Sequence, residues 1–220
     1  MSLRYRSGPE KDAVVVDLKD PRIAALLAWA WPGAGHFYQR RFTKGFLFMI
    51  CILSVFLYGL GIGRGRVVYA SFRPNDFRWQ FICQAGVGLP SMIALVQSAK
   101  AKNGGDPFFV MAERYPKGHV DANGQLREFE IITESERDGY NGETVKDGFM
   151  APPKGPVTLQ ENDVLGMWHA EMRHYYDLGT LYCIVAGLLN LLVIYDAFAG
   201  PSIPPRPGND GEIDEDASTG

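Results

Sequence analysis

Four stretches of this 220-residue chain carry side chains whose types and spacing could do chemistry. His169, Glu171 and His174 offer two imidazoles and a carboxylate, the donor set of a hydrolytic metal centre. Their spacing argues against one. Five residues rotate an α-helix by about 140°, so the two histidines leave from different sides, whereas a helical metal pair sits four apart on one face. A solvated polar face is the expected reading, with no metal, no cofactor and no catalytic residue. The glycine-rich run Gly59-Leu60-Gly61-Ile62-Gly63-Arg64-Gly65-Arg66 has the look of a phosphate loop. It lacks the Gly-Lys-Ser/Thr ending and follows a long apolar segment, so it reads as a helix end with basic interfacial residues.

The third stretch is Pro32-Gly33-Ala34-Gly35-His36-Phe37-Tyr38-Gln39-Arg40-Arg41. Its glycines relax the backbone and permit close packing, while His36, Tyr38, Arg40 and Arg41 form a polar edge suited to a lipid phosphate or an acid. The fourth is Asp196, near the end of an apolar stretch. An ionisable group inside a bilayer is costly and therefore a functional candidate, although one so near a helix end reaches interfacial water. Anchoring, or pairing with a basic residue, is the expected role. We therefore expect His36, Tyr38, Arg40, Arg41 and Asp196 to cluster at one membrane face.

Four apolar blocks, at 23–38, 45–63, 77–97 and 178–199, must position these groups. They are hidden by an average hydrophobic content of 46%. Block two runs without a formal charge, and its Leu, Ile, Phe and Val side chains each favour insertion by roughly 0.3–0.6 kcal/mol near a helix centre. Block one is shorter. Ile23 to Trp31 is only about 13–14 Å of helix against a hydrocarbon core of about 30 Å, so it spans only by continuing through Pro32-Gly33 to Tyr38. We expect that span, with a re-entrant hairpin as the competing geometry. Block three carries Gln80, Gln84, Pro90, Ser91 and Gln97 and suits a helix facing other helices. Gly33, Gly35, Gly86 and Gly187 are expected at close helix contacts, and Asn190, like Gln84, as an interhelical hydrogen-bonding group.

The expected fold class is mainly α: a helical integral membrane protein with three to four transmembrane helices and a small soluble β-containing insert. Residues 1–19 form a tail, 20–97 helices one to three, 98–177 the insert, 178–200 the last helix and 201–220 a disordered acidic tail. Within the insert, Asn123-Gly124 and Asn141-Gly142 mark turns of a three- or four-stranded antiparallel sheet. Leu165, Trp168, Met172 and Tyr175 then share one face of an interfacial helix capped by Asn162-Asp163. The insert has too few large apolar residues for a strong core of its own and should rest on the helices, the bilayer or a second copy.

A net charge of −3 without a clustered basic face gives no support for nucleic-acid binding. Cys51, Cys83 and Cys183 each fall in a different apolar block, as small hydrophobes rather than disulfide or zinc ligands. Lysines and arginines near the helix ends are too evenly divided for the positive-inside rule to orient the chain.

Ala24-Ala25-Leu26-Leu27-Ala28, then Pro32-Gly33-Ala34-Gly35-His36-Phe37-Tyr38, a basic turn and Lys44-Gly45-Phe46-Leu47, resemble the first half of the TM-two type domain family and its bacterial relatives. Ile194-Tyr195-Asp196 is similar to that module's ending. The resemblance covers 20–63 and 178–199. Arg40 departs from it, standing where many relatives have glycine, as do the extra apolar block and the insert between the halves. It implies a two-helix membrane module with no catalytic residues, in a bacterial cytoplasmic membrane. The expected function is a non-catalytic anchor or scaffold presenting the insert in a homo- or hetero-oligomer, with the lipid bilayer as partner. Handling of a small solute, ion or lipid along a polar path is the alternative.

Overall fold

The structure is a computed structural model that describes residues 3–7, 14–73, 76–116, 129–131, 145–153 and 164–200. It is mainly helical. Two helices are long and apolar enough to cross a membrane: α3 (Phe42–Ile62, mean hydropathy 2.4) and α7 (His174–Ala199, 2.0). At 1.5 Å per residue the 21 residues of α3 extend about 31 Å. The two pack antiparallel, because Gly59 and Gly179 bring their backbones together; a Cβ on Gly179 would lie 2.7 Å from Gly59 O. Phe46, Leu47, Ile50 and Leu57 of α3, and Leu181 and Leu192 of α7, face outward.

Block one does not continue as a helix. In α1 (Pro21–Ala30) the Asp20 side chain accepts from Arg22 N at 2.9 Å and Pro21 opens the first turn, and the helix stops at Trp31. After Pro32-Gly33 the short α2 (Ala34–Tyr38) turns back. Ala24 and Ala28 of α1 pack with Ala197, and His36 of α2 reaches Asp196, so both arms lie at the C-terminal end of α7. The expected span is replaced by the hairpin geometry, because Pro32-Gly33 ends the helix before it has the length to cross.

Block three is also broken. It forms α4 (Trp79–Gln84), a 3-10 turn (Ala85–Val87) and α5 (Leu89–Lys102), with the break at Gly88. Arg78, at its start, reaches Thr180 near the N-terminal end of α7, and Gly86 meets Gly187 halfway along. Then α5 returns, and Gln97 donates to Phe149 O. A second hairpin thus enters from the end opposite the first. Blocks one and three, both expected as spans, are paired half-helices.

Between α3 and α4, residues Val67 to Ala70 form a fully buried irregular segment at the centre of the core, against Phe56, Trp168, Met172 and Tyr176. Its backbone needs internal partners. Val67 O accepts from Arg78 Nη2 (2.9 Å) and from Gln84 Nε2 (3.2 Å). Gln84, expected to bond across helices, serves this loop instead.

The insert holds a three-stranded antiparallel sheet in the order β6-β5-β7, with β5 (Val110–Pro116) between β6 (Phe129–Ile131) and β7 (Val145–Gly148). Arg114 stands opposite Ile131 and Val145. Two small hairpins, β1 (Leu3–Ser7) with β2 (Val14–Leu18) and β3 (Phe72–Arg73) with β4 (Asp76–Phe77), lie elsewhere in the chain. The Asn-Gly turns, the Asn162-Asp163 cap and the acidic tail lie outside the described residues. The sheet leans on the helices: Met150 N donates to Gly65 O (2.7 Å), and Gln97 also accepts from Phe108 N (3.0 Å). In α6 (Val164–Met172), Trp168 and Met172 are buried, but Tyr175 is exposed. Arg173, at φ 49°, breaks the helix, and Tyr176 takes the inward place from the first turn of α7.

Candidate functional site

The polar edge expected around His36 is partly assembled. His36 is fully buried on α2, and its Nε2 lies 2.7 Å from Asp196 Oδ2. The same carboxylate oxygen is 3.5 Å from Arg41 Nη2 and 3.8 Å from Lys44 Nζ. Since His36 Nδ1 is buried without a partner, the hydrogen-bond pattern assigns the ring proton to Nε2, which donates to the carboxylate. Gln39 Nε2 closes the arrangement by donating to Ala197 O at 2.7 Å.

Two expected members stand apart. Tyr38 packs beside Ala24, Ala28 and Ala197, with Lys19 Nζ 4.8 Å from its ring centroid. Arg40 is exposed, in a left-handed conformation (φ 62°) that is easiest for glycine. Lys44 was not expected in the cluster. Its sequence signal is a cation in the first turn of an apolar helix. The group can latch the first hairpin to the end of α7, and its two cations outnumber its one carboxylate. Replacing Asp196 with alanine should cost about 1.5–3 kcal/mol, the range for a hydrogen bond to a charged group, and asparagine less. Chemical unfolding of the purified full chain measures both.

The two hairpins meet at Asn190, midway along α7 and fully buried. Its Nδ2 donates to Ala28 O (3.1 Å), near the end of α1, and to Gly86 O (2.9 Å) in the 3-10 turn. Both carbonyls sit where a helix has run out of its own donors. Gly35 lies against Ala24 and Ala28, Gly86 against Gly187, and Gly187 against Cys83, so each expected packing glycine is at a backbone contact. Gly33 touches the backbone of Gly45.

A family of unknown function (DUF6677) matches residues 23–209. The chain belongs to that family. No curated protein and no solved structure matches it. In this DUF6677 chain a largely buried charged assembly of four side chains lies toward the N-terminal end of α7. Asp147 Oδ2 on β7 accepts from Arg114 Nε on β5 (2.7 Å) and Trp168 Nε1 on α6 (3.3 Å), and lies 3.4 Å from Arg66 Nη2. Glu171 on α6 accepts from Arg114 Nη2 (2.8 Å) and Arg66 Nη1 (2.9 Å). Burial alone would lower the Arg114 pKa, but the Asp147 hydrogen bond and the charges of Asp147 and Glu171 raise it above the usual arginine value.

Arg66 therefore is not the interfacial residue the glycine-rich run suggested; it is buried in an ion network. Glu171 is held by two arginines, His169 Nδ1 bonds Leu165 O (2.8 Å), and the His174 ring lies tilted against that of Tyr175, 4.2 Å between centroids. Among the described residues no three His, Cys, Asp or Glu side chains come together as metal ligands. The network escaped the sequence reading because its members are far apart: Arg66 and Glu171 by 105 residues, Arg114 and Glu171 by 57. No local spacing signals such a pairing.

Proposed function

We propose that this DUF6677 protein is a multi-pass membrane scaffold that holds its sheet rigidly at one face of a bacterial cytoplasmic membrane and presents it within an oligomer. The observation that carries the reading is the Arg66–Asp147–Arg114–Glu171 network, which ties the turn after α3, two strands and α6 into one body. A sheet fastened by buried ion pairs rather than a flexible linker suits a fixed docking platform. The apolar outer faces of α3 and α7 support placement in a bilayer. The likeness to a two-helix module split between 20–63 and 178–199 belongs to the same reading, supported by the contact of His36 with Asp196.

A polar path for solutes fits less well. The polar points at Asp196 and Asn190 are separated by the tightly packed Ala24, Ala28 and Ala197. The test has two parts. The full chain should stay in the membrane fraction through alkaline carbonate extraction, and in mild detergent its mass should exceed one copy. Release into the supernatant rejects the membrane placement. A strictly monomeric protein that brings down no partner rejects the scaffold.

A further inference from the structure

Near the N-terminal end of α7 an open pocket of about 270 Å³ lies between α4, α6 and α7. Its floor is Arg78, only 6% exposed. Arg78 Nη1 donates to Tyr69 Oη (3.2 Å), and Nη2 to Val67 O (2.9 Å) and Thr180 Oγ1 (3.4 Å), all neutral acceptors. The guanidinium carbon lies over the rings of Tyr69 (4.1 Å) and Tyr176 (5.4 Å). Arg78 Nε is buried without a partner, and among the described residues no carboxylate pairs with this side chain. The contrast is internal to the chain: Arg66 and Arg114, equally buried, each contact two acids. A buried cation is ordinarily paired, and this one lines a cavity instead of meeting an acid.

We propose that the Arg78 pocket binds a phosphoryl group. Three of the five Arg78 N–H groups are spent on neutral acceptors, which leaves one on Nη1 and the one on Nε, and its charge uncompensated, for phosphate oxygens. The mouth carries Phe77 and Trp79, both more than half exposed, which suit the apolar or glycerol part of a phosphate-bearing molecule. Asp177, also at the mouth, opposes an anion, but its side chain is 79% exposed and lies 4.0 Å from His169 Nε2. Solvent screens its charge far more than that of buried Arg78, so the floor governs the pocket. Either a lipid headgroup or free phosphate could supply the group; the lipid source rests on the membrane placement proposed above.

The test uses the delipidated full chain in detergent, titrated separately with inorganic phosphate, phosphatidylglycerol and a diacylglycerol lacking phosphate, with binding read by native mass spectrometry and melting temperature. Arg78→Gln removes the guanidinium charge, and Gln80→Glu places a competing carboxylate on the partly exposed wall without touching the core. Saturable binding of phosphate or phosphatidylglycerol, absent for diacylglycerol and weakened about tenfold (about 1.4 kcal/mol) by each variant, is the expected result. Saturation by phosphatidylglycerol alone assigns the group to lipid, and equal saturation by inorganic phosphate assigns it to a free ion. No saturation by either, equal binding of diacylglycerol, or binding unchanged in Gln80→Glu overturns the proposal. If Arg78→Gln fails to fold, Gln80→Glu decides alone. Binding of inorganic phosphate is read without any membrane, so it stands or falls apart from carbonate extraction.

Discussion

Replacing Asp147 with alanine should destabilise the protein by about 3–5 kcal/mol, the range for removing one partner from a buried ion pair. Asp147 is 2% exposed and serves Arg114, Arg66 and Trp168 at once. Without it, Glu171 alone faces two buried guanidinium groups, and the Trp168 N–H loses its acceptor. The cost comes chiefly from uncompensated charge, so the two arginines should draw water inward and lift the sheet from α6. Hydrogen exchange should therefore rise first in β5, β7 and α6, while α3 and the C-terminal half of α7 stay protected. Lys146→Ala is the matched control, because the Lys146 contact with Asp106 (2.8 Å) is partly exposed and should be worth no more than about 1 kcal/mol. Equal losses for the two variants would mean that the buried network does not fasten the insert. The same comparison bears on the scaffold reading: a sheet that detaches in Asp147→Ala should also lose its oligomer.

The two long helices could be read from sequence because an uncharged apolar run of adequate length has few other uses. Their half-length neighbours were harder. A buried half-helix and a span draw on the same residues, and the difference lies in Pro32-Gly33 and Gly88-Leu89-Pro90, which are compatible with either a kink or a reversal. The His36–Asp196 contact was within reach because each side chain was a polar exception inside an apolar region. That signal had no equivalent for Arg78, which stands just before an apolar block and looks like an ordinary interfacial cation. Its isolation is visible only once Tyr69, Thr180 and Tyr176 are placed around it. Arg114 and Asp147 sit on adjacent strands of an unremarkable polar segment, where their charges suggest solvent. Burial by α6, whose Trp168 caps the pair, reverses that meaning.

Gly88→Ala should cost about 2–6 kcal/mol, combining backbone strain of about 1–3 with forced displacement of packed backbone of about 1–3. At φ 87°, ψ −139° this residue occupies a region that is essentially restricted to glycine. A Cβ would also overlap Trp29 O and come within 2.9 Å of Ala30 O, and backbone at a helix end cannot swing aside as a side-chain tip can. Gly104→Ala isolates the strain: its φ is 75°, among the described residues no atom lies within 4 Å of its Cβ, and its cost should be about 1–2 kcal/mol. The excess at Gly88 reports the contact between hairpins that enter from opposite ends. Asn190→Leu attacks the same junction by releasing Ala28 O and Gly86 O, and should cost about 1–2 kcal/mol. Because both substitutions part the same elements, the double variant should lose less than the sum, by about 0.5 kcal/mol or more. Strict additivity, or a Gly88 loss no larger than that at Gly104, would mean that the half-helices do not meet there.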